Sequence, residues 1–171
     1  IITKPPLTDI EVIEIDRVGK LEAFNTDGLR SLMKTMKHIP NMKEKTLRHP
    51  GHAQLIKAMI NKGLFNKYNF ENTIKKLFED WKLKDNEPEF TVLNINIFSE
   101  EKNIHYHLYD ENDILSKSSS MARTTGYTAT ATINMLLNNL WDKKGVYPPE
   151  LVGKNAKCIE FLISYLSSRN V

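Results

Sequence analysis

The chain has 171 residues, enough to bury the core of one compact domain, and its hydrophobic and charged fractions of 40% and 26% are ordinary for a globular protein. Lysine and arginine number 24 against 21 acids, a net +3. The charges alternate along the chain, and the basic stretch from Lys34 to Arg48 has no matching aromatic platform, so no nucleic-acid partner is expected. No apolar run is long enough for a bilayer and no signal-peptide pattern opens the chain, so neither a membrane partner nor export is expected. The single Cys158 has no internal disulfide partner and reads as a small buried hydrophobe, consistent with a cytoplasmic setting. The first residue is Ile1 rather than Met, which suggests a piece of a longer protein.

In chain order, Pro5 and Pro6 predict an extended lead-in. Ile10 to Asp16 and Lys20 to Phe24, separated by Gly19, predict a hairpin with a polar outer face. Asn25, Thr26 and Asp27 are good helix-capping residues ahead of Leu29, Leu32 and Met33, and predict a helix from about Asp27 to Lys37, ended by Pro40. Met42 to Arg48 is short and charged and fits a strand. Pro50 then opens a helix carrying Leu55, Ile56, Met59 and Ile60 on one face, with Gly63 just past its end. Ile74, Leu77, Phe78 and Trp81 predict a helix over roughly Asn72 to Leu83, and Asp85 to Pro88 a break.

Phe90 to Phe98 and Ile104 to Tyr109 predict a second hairpin. Its first strand places Leu93, Ile95 and Ile97 on one face and Asn94 and Asn96 on the other, so the apolar face is expected to meet helices while the other lies at a sheet surface or subunit interface. Beyond Ser118, Ile133, Leu136, Leu137, Leu140 and Trp141 predict a long amphipathic helix ended by Gly145. Pro148 and Pro149 start a helical turn, and Ile159, Leu162, Ile163 and Leu166 a last helix. The pattern is α+β: a mostly antiparallel or mixed sheet with helices packed on one face, in one domain over residues 1–171.

The seven glycines are scattered singly, so the glycine-rich fingerprint of a dinucleotide-binding domain is missing, as is a phosphate-binding loop. Thr46, Arg48, His49 and His52 fall at one strand-to-helix junction. An arginine there suits a carboxylate, since its planar fork makes two parallel charged hydrogen bonds, and a helix start adds positive potential. The same residues also fit a solvated arginine beside a helix. Ser118 to Gly126 brings hydroxyls, Arg123 and small side chains to another helix start, fitting a polar ligand or an ordinary serine-rich cap. His105 and His107 share one strand face without a third ligand in convincing spacing, which reads as a sheet-surface pair rather than a zinc site. No metal is expected.

Four segments together resemble one family. Leu21 to Arg30, the run Lys45-Thr46-Leu47-Arg48-His49-Pro50-Gly51-His52, the run Ser120-Met121-Ala122-Arg123-Thr124-Thr125-Gly126-Tyr127, and Gly145-Val146-Tyr147-Pro148-Pro149-Glu150 are similar, in that order, to the C-terminal domain of saccharopine dehydrogenases and lysine 6-dehydrogenases. Asn25 and Thr128 stand where that family often has proline. The resemblance implies a glyceraldehyde-3-phosphate dehydrogenase-like C-terminal domain, and a separate Rossmann domain holding NAD or NADP. It further implies an amino-acid substrate of saccharopine or lysine type, oxidised at its C–N bond, and a homodimer; this piece alone is expected to be inactive. On the same resemblance Arg48 holds a substrate carboxylate with Thr46 in support, and Asn25 and Asp27 meet the ammonium end. Arg123 and Thr124 line the substrate pocket, Thr125 and Gly126 lie next to the cofactor, and His52 is the proton-transfer candidate, with a structural hydrogen bond as its competing role. The alternative is a non-catalytic dimerisation or regulatory domain of the same fold.

Overall fold

A computed structural model describes residues 2–84 and 87–171. Asp85 and Asn86, half of the expected break, lie outside the described residues. The chain forms two compact units, Ile1–Lys82 and Leu83–Val171. Both are α+β with antiparallel sheets only, in agreement with the expected class.

In the first unit, β1 (Glu11–Ile15) and β2 (Gly19–Asn25) form the expected hairpin, and β2 also pairs with β3 (Lys45–Arg48), giving the order β1-β2-β3. The central strand carries the core: Leu21, Ala23 and Phe24 are buried, and so is Glu22 between them. Helix α2 (His52–Asn61) packs on β2 through Ala53. It starts at Gly51, whose φ of 97° suits a residue without Cβ, and ends before Gly63, whose φ of 71° closes it as expected. Helix α3 (Phe70–Trp81) follows, close to its predicted span.

The helix predicted over Asp27 to Lys37 shrinks to one turn, α1 (Leu32–Thr35). The capping residues are occupied elsewhere. Asn25 ends β2 and donates to Thr8 and Asp9, while Thr26 and the Gly28 amide both donate to Glu44. A Cβ on Gly28 would run into the Glu44 side chain, and Arg30 takes a positive φ of 37°. Helical backbone therefore begins only beyond Arg30.

In the second unit, β4 (Phe90–Phe98) and β5 (Asn103–Glu111) form a two-stranded ribbon in full register. Helix α4 (Ser120–Leu137) packs against the ribbon and against α6 (Ala156–Ser167), around Ala131, Met135 and Cys158. The single turn α5 (Pro149–Val152) precedes α6. Five threonines are tolerated in α4 because several return their hydroxyls to the preceding turn, as Thr124 does to Ser120 and Thr128 to Thr124.

Two expectations fail here. Helix α4 stops at Asn138, and Asn139 takes a φ of 55°, so Leu140 and Trp141 lie beyond the helix, where Trp141 meets Tyr147 edge-on. The apolar ribbon face is also left largely uncovered: Leu93, Ile95 and Ile97 are 52%, 42% and 46% exposed. Helix α4 is held at the Asp110 end of the ribbon, where Ser120 donates to the Asp110 carbonyl, so the far end projects past it.

That attachment rests on Arg123. Its guanidinium donates through Nε to both Asp110 carboxylate oxygens at 3.2 Å and through Nη2 to one of them at 3.1 Å, with the Asp110 side chain only 2% exposed. Nη2 also donates to the carbonyls of Arg169 and Asn170, tying down the C-terminus. Removing one partner leaves a buried charge alone. Asp110→Ala should lower unfolding free energy by about 3–5 kcal/mol, and Asp110→Leu with Arg123→Met should restore much of it. Urea denaturation checks this; equal loss in the single and double variants would show that the pair is not the anchor.

Candidate functional site

Three of the four residues predicted at the first junction, Thr46, Arg48 and His52, gather on one face of the three-stranded sheet, while His49 lies past the end of β3. Thr46 and Arg48 alternate along β3 and so share a face. Their cross-strand partners are Phe24 and Glu22, respectively. His52, the first residue of α2, stacks on Phe24 with ring centroids 6.1 Å apart and planes 7° from parallel, and its other neighbour is Trp81, at 5.6 Å.

Glu22 decides the electrostatics. Its carboxylate accepts the Gly51 amide at 2.9 Å and the Ala53 amide at 2.5 Å, and so caps the start of α2 from the adjacent strand. Burial pushes the Glu22 carboxyl up, but the amides of Ala53 and Gly51 outweigh it and hold it below the ordinary carboxylate value. The helix start is thus filled by the chain's own acid, and its amides do not await a ligand. The same commitment leaves Arg48 without Glu22, although the two lie opposite each other. Arg48 is exposed, and its one hydrogen bond among the described residues goes to the neighbouring Leu47 carbonyl at 2.7 Å.

Thr46 sits 3.0 Å from Thr26, hydroxyl to hydroxyl, and both face Glu44, which also accepts the Gly28 amide at 3.0 Å. Asn25 gives its side-chain donors to Thr8 and Asp9, both at 3.1 Å. Asp27 is exposed and 3.6 Å from Arg30. Of this group, Arg48 keeps a charged side chain open, and His52 an imidazole half-covered by aromatic rings.

In the second unit, Arg123 is committed to Asp110 and the C-terminal carbonyls, and Thr124 to the Ser120 carbonyl. Thr125 and Gly126 are exposed, and the space where a Gly126 side chain would stand is open. This helix start is also filled internally: Glu89 accepts the Ser120 amide, and Ser119 accepts that of Ala122. Among the described residues no group of three or more His, Cys, Asp or Glu is placed to hold a metal ion, and no helix is long and apolar enough to cross a membrane.

Nothing in the sequence pattern gives a site role to Glu22, Glu89, Asp110 or Trp81. Glu22 had a signal: a lone acid inside an otherwise apolar strand segment, Leu21-Glu22-Ala23-Phe24, is a buried acceptor in waiting. Asp110 and Glu89 had none, because each finds its partner across a loop whose path the sequence does not state.

Among the described residues both units are α+β with antiparallel sheets, unlike the mostly parallel sheet of a dinucleotide-binding fold. The chain belongs to the saccharopine dehydrogenase C-terminal domain family, whose model matches residues 2–171, in agreement with the sequence resemblance.

Burial in the aromatic stack, together with the positive Arg48 nearby, lowers the His52 pKa below 6.5, against the opposing pull of Glu22. The unfolded chain then binds a proton more readily than the folded one. This contribution to stability is present above the unfolded value near 6.5 and is lost as pH falls through the lower folded value. Stability should therefore decline as pH drops from 7 towards 5, and His52→Phe should flatten that slope. Urea midpoints across this range test it; an unchanged slope in the variant would put the decline elsewhere.

Proposed function

We propose that this chain is the substrate-holding part of an NAD(P)-dependent oxidoreductase acting on the CH–NH group of an amino acid of saccharopine or lysine type. The observation that carries the reading is Arg48: an exposed guanidinium beside a carboxylate that is already taken by helix amides. An arginine left in this state is matched to a carboxylate brought from outside, and its fork fits one bidentately. Membership of the saccharopine dehydrogenase C-terminal domain family supports this reaction class.

Within this reading Arg48 fixes the substrate carboxylate. Thr46, held by Thr26 and Glu44, lends its hydroxyl, and Asp27 is left for the ammonium end, whereas Asn25 pairs with Lys45 and leaves the opposite face of the sheet. His52, kept neutral by its stack, is fit to take a proton from the amine at its free imidazole nitrogen, since the nitrogen that reacts must carry a lone pair. A nicotinamide dinucleotide supplies the hydride acceptor when bound. In the second unit, the bare backbone at Gly126, with Thr125 beside it, fits the close approach of a flat ring. Arg123 and Thr124 support that helix surface; their polar groups are bound within the chain.

The exposed ribbon face of Leu93, Ile95 and Ile97 supports a homodimer, in which apolar side chains leave water. The same feature favours the second reading, a domain kept for dimerisation without turnover. Arg48 separates the two, because an interface of this kind gives an unpaired arginine on the other unit no role.

The full gene product, assayed by nicotinamide absorbance with lysine and with saccharopine, tests the main reading. Arg48→Ala should raise KM and lower kcat/KM by roughly 10- to 100-fold, the loss of a charge-assisted hydrogen bond of about 1.5–3 kcal/mol, with Arg48→Lys in between. No turnover by the wild type with either amine would favour the non-catalytic reading. For the dimer, light scattering on the same protein should give twice the chain mass, and Ile95→Lys should halve it; a monomeric wild type would remove this proposal.

A further inference from the structure

The ribbon carries a pairing on its other face that the reading above does not use. Asn94 stands opposite His107 and Asn96 opposite His105. The two histidines are two residues apart on β5, so both rings leave the same face, and both are exposed. The Asn94 Oδ1 lies 2.6 Å from His107 Nδ1, and the Asn96 Oδ1 lies 2.5 Å from His105 Nδ1. An amide oxygen only accepts, so each Nδ1 carries the proton. In the neutral ring this places the lone pair on Nε2, which makes no hydrogen bond among the described residues. The rings are stacked 12° from parallel with centroids 6.3 Å apart.

Two neighbouring imidazoles, each with its tautomer set by an amide on the next strand, have the arrangement of first ligands and their outer partners in a metal site. A lone surface histidine would have no reason to show the same amide lock twice in register. We propose that His105 and His107 bind one divalent transition-metal ion through Nε2 on this face, with Cu2+ preferred to Zn2+. Imidazole suits both ions, and the ordinary affinity order puts Cu2+ first. Metal–nitrogen bonds of about 2.0–2.1 Å require the two nitrogens to stand roughly 2.9 Å apart on a square-planar Cu2+, or roughly 3.3 Å on a tetrahedral Zn2+, closer than the present ring spacing. The rings must lean towards each other, which two exposed side chains on a strand surface are free to do while each Nδ1–H stays on its amide. With two protein ligands, the remaining positions are taken by water or a small ligand.

The test is calorimetric titration of the folded protein with Cu2+ and with Zn2+ at pH 7.5, beside electron paramagnetic resonance of the Cu2+ form. One site per chain is expected, with coupling to two nitrogens and tighter binding of Cu2+. His105→Ala and His107→Ala should each weaken it by roughly tenfold or more, Asn96→Leu by about tenfold with both rings retained, and His38→Ala should leave it unchanged. Both histidines are exposed, so folding persists, and circular dichroism verifies this. Binding unaltered in the His105→Ala, His107→Ala double variant would overturn the proposal, as would no saturation below about 0.1 mM metal.

Discussion

Helix starts present amide donors that must find acceptors, and at α2 and α4 carboxylates from a strand or its flank take up part of that need. Glu22 reaches from β2 to the amides of Gly51 and Ala53, and Glu89 from the residue before β4 to the Ser120 amide. Each contact joins a helix to a sheet and fixes where the helix begins. Each also removes an anion-binding position from the surface. At the start of α2 the cationic group left open is therefore a side chain, Arg48, and not a backbone cradle.

The two motif arginines show how far burial decides the fate of one residue type. Arg48 lies on a sheet face beside an acid that is already engaged, and stays open to solvent. Arg123 is 10% exposed at its side chain and makes bonds to Asp110 and two terminal carbonyls. Its desolvation is offset by that set of partners, and the hydrogen bonds it donates to Asp110 raise its pKa. In chemical terms one arginine stays open to solvent, and the other is a bolt between a helix, a ribbon and a tail.

Local patterns made most of the elements legible. Both hairpins, α3 and α6 follow from alternation or helical spacing, and Gly63 from its place after α2. The failures have one cause, which is that side-chain partners distant in sequence outbid local preference. The capping residues at Asn25 and Thr26 look like a helix start until Thr8, Asp9 and Glu44 take their hydrogen bonds. Helix α4 continues in pattern through Trp141, yet Asn139 turns the chain and Tyr147 receives the ring. At the site, the arginine motif was readable as chemistry, whereas the acid that leaves it open was not, since strand register alone brings Glu22 opposite Arg48.

The strand Phe90–Phe98 has nine residues, FTVLNINIF, without a charge, a proline or a glycine. In its two-stranded ribbon it has one paired neighbour among the described residues. Such a segment is a template for cross-β stacking between nascent chains. Its flanks counter this: Glu87 and Glu89 precede it, and Glu100, Glu101 and Lys102 follow in the turn, where charge repels a second copy. The turn is also short, closed by Ser99 and Lys102 at 3.1 Å, so the hairpin forms from adjacent sequence within about 1–10 μs, long before a neighbouring chain arrives by diffusion. The order of residues along the ribbon thus protects the protein during synthesis, at the stage when its most aggregation-prone strand has nothing else to pair with.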